Sequence, residues 1–369
     1  MTRKHRLSAA VLAISLVAAA CGDDDTDSDD AESPPAATAD DTVEDSGGDT
    51  AAEPAGGGDA TVGVAVFQFS NTYLTLVRNA ITAEADALGV TVDVVDGQNA
   101  QPTQNEQIDL FVSKGYDAMA VNQVDRELAD VTARKALDAD IPVVFFNKEP
   151  DRSVLDMGDG FFYVGAVAEE SGVMQGEIVA EYWEANPEAD LNGDGILQYV
   201  MLQGPADHQD AQLRTTHSVK ALEEAGIELE EVALEIGDWS RPVAQEDMSA
   251  ILAAHGDAIE FVIANNDDMA LGAIEALRAN GYFGDDGKFM PVVGVDATAP
   301  ALEALQEGTL LATVLNDAVN QGKATVRLAS VLAHGETPTE ENVGYPITDG
   351  KYVWVPYQKI LLANIDDAL

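Results

Sequence analysis

The sequence predicts an α/β protein with two doubly wound parallel-sheet lobes, preceded by an export leader and an acidic tether. Short β-branched runs alternate with amphipathic segments, which is typical of βαβ winding. This alternation stops midway along the chain and then begins again. About 310 residues follow the tether, more than one hydrophobic core usually supports, so two lobes are expected.

The first twenty residues have the form of a secretory signal: a cationic start, the apolar run 7–17 and three alanines before Cys21. The run is shorter than the roughly 20 apolar residues that span a bilayer, so the leader is expected to be removed. Cys21 is the only cysteine, and its position resembles a bacterial lipobox with Ala18 in place of the usual leucine. We therefore expect a diacylated Cys21 that anchors an extracytoplasmic protein to the cell membrane. An ordinary signal with an incidental cysteine is the alternative.

Residues 21–59 form the predicted tether, because they contain almost no large apolar side chain and cannot bury enough surface to fold. The chain has 19 Lys and Arg against 66 Asp and Glu, a formal net charge of -47. A nucleic-acid-binding protein needs a basic surface, so this composition excludes nucleic acid as a partner. We interpret the acidity as a solvated surface that does not identify the ligand.

The first half of the body contains four predicted strands, rich in β-branched and aromatic residues, at 61–69, 90–95, 118–121 and 141–146. Helical spacing of apolar residues predicts helices at 73–88, 103–114 and 127–138. After a link at 164–168, strands are predicted at 196–202, 228–234, 260–264 and 291–295. The helices between and after them are predicted at 210–225, 242–254, 267–280 and 298–307.

Polar residues follow the predicted strands in both halves. Ligands of open parallel sheets bind beyond the carboxyl ends of the strands, so these positions are candidates for a site. Amides and carboxylates supply the paired donors and acceptors that neighbouring sugar hydroxyls require. For each residue alone, a helix cap or a turn is the competing interpretation. The candidates are Asn71, Asn147, Lys148, Asn265, Asn266, Asp296, Asn316 and Asp317.

Two aromatic residues accompany this polar set. Tyr73 opens the first predicted helix, and Trp239 closes the stretch before Ser240. Aromatic rings cover the C–H faces of a pyranose, so both residues are candidates for sugar contacts. Ordinary packing is the alternative for each.

Five segments closely resemble the bacterial D-galactose/D-glucose-binding protein family, and the similarity runs in order from about residue 61 to the C-terminus. They are Phe-Phe-Asn-Lys-Glu-Pro at 145–150 and the stretches 208–216, 263–267, 294–297 and 313–318. The resemblance implies the periplasmic binding protein type I fold, with three hinge crossings between the lobes. It divides the body into 61–166 plus 316–350 and 167–315 plus 351–369.

The resemblance also implies which residues bind the sugar. Trp239 and Tyr73 would sandwich the ring, with Tyr73 replacing the phenylalanine of the family. Asn71 stands where the family has an aspartate that contacts the 4-hydroxyl, so glucose, galactose and a pentose such as xylose stay open. The residues expected to hydrogen-bond the sugar are Asn147, His208, Asp210, Arg214, Asn266, Asp296 and Asn316.

A second candidate site is the segment 190–198. Asp190, Asn192, Asp194 and Gln198 occupy positions one, three, five and nine of an EF-hand-like order, with glycine at six and the Ile196 carbonyl at seven. This order predicts a structural Ca²⁺. Position twelve lacks the usual acid, and the resemblance supplies Glu260 as the missing ligand. A hydrogen-bonded turn is the alternative.

The leading hypothesis is a monomeric receptor that captures a monosaccharide and delivers it to an ABC permease. A sensor that serves a chemoreceptor or a kinase is one alternative. A sugar-active enzyme is another alternative. However, the sequence shows no recognisable Ser/His/Asp or Cys/His arrangement for catalysis, and the resemblance implies a family without catalytic activity. A repressor would carry a DNA-binding domain where this chain has a signal and an acidic tether.

Overall fold

The computed structural model describes residues 60–285 and 287–369, and the predicted leader, the tether and Cys21 lie outside them. Its strands are β1 (Thr61–Val66), β2 (Thr91–Asp96), β3 (Ala118–Val121), β4 (Val143–Phe146), β5 (Phe161–Gly165), β6 (Ile196–Gln203), β7 (Glu228–Ile236), β8 (Phe261–Ala264), β9 (Val292–Val293), β10 (Thr313–Leu315), β11 (Tyr352–Trp354) and β12 (Gln358–Ile360). Its α-helices are α1 (Thr72–Leu88), α2 (Gln101–Lys114), α3 (Ala129–Asp138), α4 (Arg152–Leu155), α5 (Ala168–Ala185), α6 (Gln209–Glu224), α7 (Arg241–His255), α8 (Asp267–Ala279), α9 (Ala299–Gln306), α10 (Ala318–Ala333) and α11 (Glu340–Val343). Within these ranges, no helix is long and apolar enough to cross a membrane.

The first lobe is built on a six-stranded sheet of parallel neighbours in the order β11-β5-β4-β3-β1-β2. Because side chains alternate between the faces of a strand, the sheet contributes to two cores. Val64 and Val144 pack with α1 and α10 on one face, whereas Ala65 and Phe145 pack with α2 and α3 on the other. A sheet buried on both faces accounts for the nearly continuous apolar runs in the sequence.

The second lobe repeats this plan with the parallel order β7-β6-β8-β9. Val200 and Leu202 pack with α7 and α8, while Tyr199 and Met201 pack with α5 and α6. Strand β7 is an edge strand, and four of its nine residues are exposed glutamates. The predicted class of two doubly wound lobes is confirmed.

The chain crosses between the lobes three times: after β5, after β10, and between β11 and β12. The third predicted boundary, at 350/351, is wrong. Tyr352 pairs with Tyr163 of β5, and the Val355 N–H continues this edge by donating to the Gly165 carbonyl at 2.8 Å. The crossing therefore follows Trp354, and β12 pairs with β10 in the second lobe.

The predicted helices match α1–α3 and α6–α9 to within three residues. The strand predicted at 61–69 ends earlier, at Val66, because the next N–H leaves the ladder: Phe67 donates to the Asn122 side chain at 3.2 Å. The strand predicted at 291–295 is reduced to the two residues of β9. No element was predicted from the sequence at α5, α10 or β10–β12, and the end of β5 was predicted to be a link.

Candidate functional site

A polar cavity lies between the lobes at the carboxyl ends of both sheets. Its volume is about 370 Å³ including its opening to solvent. Ten of the eleven predicted sugar-binding residues line it together, and Phe67 and Leu74 complete the lining. The ten are Asn71, Tyr73, Asn147, His208, Asp210, Arg214, Trp239, Asn266, Asp296 and Asn316.

Lys148 is the predicted residue that does not line this cavity. Its ammonium donates to the Val124 carbonyl at 2.8 Å and lies 4.1 Å from the centre of the Phe67 ring. It faces an adjoining, larger space that also touches His208 and Asp210. Burial lowers its pKa to about 8. Lys148 therefore contributes positive charge beside the cavity.

The Asn147 side chain is held by residues of the first lobe. Its backbone adopts a left-handed conformation, with φ of 62°. The Tyr163 hydroxyl donates to its carbonyl at 2.8 Å, and the Asn122 amide donates to its Oδ1 at 3.2 Å. Because the side-chain oxygen already accepts a hydrogen bond, the Asn147 amide nitrogen is the group available to a ligand.

Arg214 is the buried cation of the site, only 4% exposed. It donates to the Asn265 carbonyl at 2.8 Å and to the Tyr357 hydroxyl at 3.2 Å, and it lies 3.9 Å from the Asp210 carboxylate. Its Nε has no hydrogen-bond partner among the described residues. A buried unpaired donor is costly, so Arg214 offers a strong site for a ligand oxygen.

Arg214 lies on α6, and two glycines of α5 allow α6 to pack closely against it. A Cβ on Gly172 of α5 would lie 2.8 Å from the Arg214 carbonyl, and one on Gly176 would lie 2.4 Å from the Ser218 carbonyl. Any larger side chain at these two positions would push the helices apart. The close approach of α5 and α6 therefore sets the depth of the guanidinium in the cleft.

A chain of hydrogen bonds orients the acceptors at the base of the cavity. Gln321 donates to the Asn316 Oδ1 at 2.6 Å, and Asn316 donates to the Asp296 Oδ1 at 3.3 Å. Burial raises the pKa of Asp296 to about 7, although the Arg214 charge acts in the opposite direction. Burial likewise raises the pKa of Asp210, again opposed by Arg214. The Arg214 charge thus favours the ionised form of both carboxyl groups, whereas their burial disfavours it.

His208 is fixed as the N-cap of α6. Its Nδ1 accepts the Asp210 N–H at 3.2 Å, and burial holds its pKa well below the usual 6.5. The neutral ring therefore carries its proton on Nε2 and presents a donor. The Trp239 ring meets His208 edge to face, with 5.3 Å between ring centres.

Tyr73 and Trp239 come from opposite lobes and supply the apolar walls. Trp239 lies against Gly204, where an added Cβ would be 2.4 Å from the indole. The Tyr73 hydroxyl is buried and has no hydrogen-bond partner in the described part of the chain. Burial, and next the charge of Asp296, raises its pKa well above 10. This hydroxyl is a polar group that a phenylalanine, the residue expected here from the resemblance, would lack.

Several residues that shape the site were not predicted from the sequence. Asn122 directly follows β3, so the rule of strand ends that selected Asn147 also applies to it. Gln321 lies inside α10 and Tyr357 in the third crossing, and no local pattern marks either of them. Asn265, a candidate of the strand-end pattern, is structural: its side chain accepts the Gly204 N–H at 3.1 Å.

The predicted metal loop lies between α5 and β6 and is closed by its own carboxylates. Asp190 accepts the N–H groups of Gly193 at 2.7 Å and of Gly195 at 2.9 Å. Both glycines have positive φ, 75° and 77°, which favours glycine at these turns. Asp194 accepts the Ile196 N–H at 2.8 Å.

Glu260 reaches this loop from the position just before β8. Its carboxylate accepts the Leu191 N–H at 2.6 Å and the Gln198 N–H at 3.1 Å. The amides of Asn192 and Gln198 donate to Asp194 at 2.9 and 3.1 Å. Within 60–285 and 287–369, no group of three or more His, Cys, Asp or Glu side chains is arranged to hold a metal. Amide and backbone oxygens would therefore have to complete a cation's shell.

The chain resembles characterised proteins along most of its length. Residues 62–337 match the model of the periplasmic binding protein domain. A D-galactose/methyl-galactoside binding periplasmic protein of Haemophilus influenzae is 40% identical over 313 residues, covering 84% of this chain and 92% of the relative.

The chain belongs to the periplasmic binding protein family. A putative rhizopine-binding protein of Rhizobium meliloti is 32% identical over 83% of this chain and 91% of its own length. The solved structure of a Bacillus halodurans ABC transporter solute binding protein with bound myo-inositol superposes with a TM-score of 0.71 at 29% identity. That match covers 85% of this chain and 98% of the other. The fold is the type I fold of the family, whose members are extracytoplasmic.

The buried carboxyl of Asp296 makes stability depend on pH. The folded protein retains this proton to about pH 7, whereas the unfolded chain releases it near its ordinary pKa of 3.8. The stability that depends on the proton is therefore present at about pH 4 and is lost as the pH rises to about 7. We expect Asp296→Asn to flatten the fall in the free energy of unfolding over this range.

Urea denaturation of the sugar-free protein at several pH values measures this slope. Asp86→Asn, which removes an exposed carboxyl on α1, serves as the matched control and should retain the wild-type slope. Equal slopes for wild type and Asp296→Asn would contradict the assignment.

Proposed function

We propose that this protein is the solute-binding component of an ABC importer and binds a monosaccharide of the galactose/glucose type between its lobes. The observation that carries the proposal is a compact cavity in which unpaired buried polar groups face apolar aromatic walls. The Arg214 Nε is such a donor, and Tyr73 and Trp239 supply the walls. Sugar recognition requires this combination of fixed polar groups and flat apolar surface.

The site draws its residues from both lobes, so a bound sugar would stabilise the closed arrangement. Tyr73 and Asn147 belong to the first lobe, whereas Arg214 and Trp239 belong to the second. Since only differential affinity shifts a conformational equilibrium, the closed form is favoured when the ligand contacts both sides. A monomer that presents this closed form to a permease fits the proposal, and a chemoreceptor or sensor kinase is the alternative recipient.

We infer a binding role without catalysis. Asp210 and Asp296 are the acids of the cavity. Asp210 lies 3.9 Å from the Arg214 guanidinium, and Asp296 accepts a hydrogen bond from Asn316, so both serve as fixed hydrogen-bonding groups. The relatives from Haemophilus influenzae and Rhizobium meliloti are described as binding proteins, which supports the same role.

Calorimetric titration with galactose, glucose, xylose, ribose, arabinose and myo-inositol tests the proposed function. At least one of the first three should bind with a dissociation constant well below a millimolar, since that corresponds to more than about 4 kcal/mol. Trp239→Ala should weaken binding tenfold or more because it removes one apolar wall. Trp183→Ala, on α5 outside the cavity, is the matched control and should bind normally. The absence of binding to all six compounds would contradict the proposal.

We also propose a structural Ca²⁺ in the loop 190–198. The side chains Asp190, Asn192, Asp194, Gln198 and Glu260 and the Ile196 carbonyl offer only oxygen ligands to a cation once the two amides rotate, which suits a hard cation. Burial raises the pKa of Glu260, and a bound cation would favour its charged form.

Removal of Ca²⁺ by EDTA should lower the melting temperature, because a ligand that binds only the folded state stabilises it, by about 2.7 kcal/mol at a hundred times its dissociation constant. Glu260→Gln should abolish the difference between melts with Ca²⁺ and with EDTA, whereas Glu188→Gln, an exposed neighbour, should preserve it. Superimposable wild-type melts under both conditions would rule out the site.

The anchor is the third part of the proposal. Cys21 follows a leader and precedes an acidic tether, the order expected of a lipoprotein whose folded body extends away from the membrane. In a bacterial host, the wild-type protein should fractionate with membranes and carry a diacyl mass increment on Cys21. Cys21→Ser should release it. Equal fractionation of the two proteins would oppose the anchor.

A further inference from the structure

Asn71 lies between two spaces. One is the ligand cavity, and the other is a groove of about 820 Å³, open to solvent, that Asn71 and Trp239 also line. The groove runs between the segment before α1 and the loop from β7 to α7. Its volume exceeds that of the ligand cavity, so it has room for a substituent larger than a hydroxyl.

The helix cap fixes which atom of the Asn71 side-chain amide is available to a ligand. As the N-cap of α1 it accepts the Leu74 N–H through Oδ1 at 2.9 Å. Its Nδ2 has no hydrogen-bond partner in the described part of the chain, so the side chain presents donors to its surroundings. A carboxylate here would cap the helix with one oxygen and present the second oxygen as an acceptor.

This polarity decides which ligand atom fits beside Asn71. A carboxylate requires a ligand hydroxyl, because the hydroxyl must supply the proton of the hydrogen bond. An amide nitrogen supplies the proton itself, so an ether or glycosidic oxygen satisfies it as well as a hydroxyl oxygen does. Asn71 therefore imposes no need for a free hydroxyl at this point of the ligand.

The groove has the chemistry of a carbohydrate surface. Hydroxyl groups of Ser70, Thr72 and Ser240 line it, and the Trp239 indole continues into it from the ligand cavity. Arg241 is held loosely, 3.8 Å from Asp268 and 3.5 Å from Glu275. Hydroxyls and an aromatic face are the groups that a second sugar ring or a similar polar substituent contacts.

We propose that the cavity takes a sugar that is O-substituted at the ring position facing Asn71, with the substituent lying in the groove. The ligand class is an ether or a glycoside whose bridging oxygen accepts from the Asn71 Nδ2. This inference rests on the proposed sugar-binding function and narrows its ligand.

The test uses galactose or glucose, whichever binds more tightly, and its mono-O-methyl ethers at each hydroxyl other than the anomeric one. We expect one ether to bind the wild-type protein within about tenfold of the parent sugar. Asn71→Asp should weaken that ether at least tenfold more than it weakens the parent sugar, because two acceptors then face each other only in the complex with the ether. Asn105→Asp, which adds the same charge on α2 outside both spaces, should bind every compound like the wild type.

The outcomes separate the two proposals. If the parent sugar binds and no ether does, the inference is overturned while the sugar-binding function stands. An ether that binds wild type and Asn71→Asp equally also overturns it, since the donor at Asn71 would then play no part. If neither the parent sugars nor any ether binds, the proposed function itself fails.

Discussion

The buried guanidinium of Arg214 is the interaction on which the rest of the cleft depends. A cation removed from water is stable only if it is paired and hydrogen-bonded, so the surrounding residues are arranged to meet that need. Asp210 lies near it on the same helix, and Asn265 and Tyr357 receive its N–H groups. Tyr357 belongs to the third crossing, so the same cation links the binding residues of the second lobe to the hinge.

Two buried polar groups around the cleft are left without a hydrogen-bond partner in the described part of the ligand-free protein. The Arg214 Nε and the Tyr73 hydroxyl have no partner among the described residues, and they come from opposite lobes. Unpaired buried groups cost on the order of 1–3 kcal/mol each, and a ligand oxygen would recover that cost. The cleft therefore stores part of the free energy of ligand binding in groups that the protein fails to satisfy by itself.

The sequence predicted the parallel sheets well because their strands are buried on both faces and read as apolar runs. It missed α5 and α10 for a related reason. The buried face of α5 contains Gly172, Gln175 and Gly176, so α5 lacks a clear apolar stripe, whereas the apolar stripe of α10 is interrupted by Gln321 and Gly322. The boundary near 350 failed because β11 has three residues, and its position depends on pairing with β5, nearly 190 residues earlier in the chain.

The sequence predicted those site residues that lie just beyond the carboxyl ends of strands. Asn71, Asn147, Asn266, Asp296 and Asn316 follow strands, whereas His208, Asp210 and Arg214 lie at or in α6 and were reached only through the family resemblance. Hydrogen bonds that orient these residues, such as that from Gln321 to Asn316, depend on packing between distant elements and leave no local pattern. The direction of the Asn71 amide likewise became clear only from its helix cap.

The exposed edge of strand β7 affects how copies of the protein associate at high concentration. An edge strand exposes unpaired N–H and C=O groups, which invite the edge of another molecule to add to the sheet. The exposed glutamates Glu228, Glu230, Glu231 and Glu235 place like charges along that edge. Two copies meeting edge to edge would bring these carboxylates together in opposing rows. The acidic edge thus protects the protein against sheet-to-sheet aggregation when many copies accumulate in a small volume.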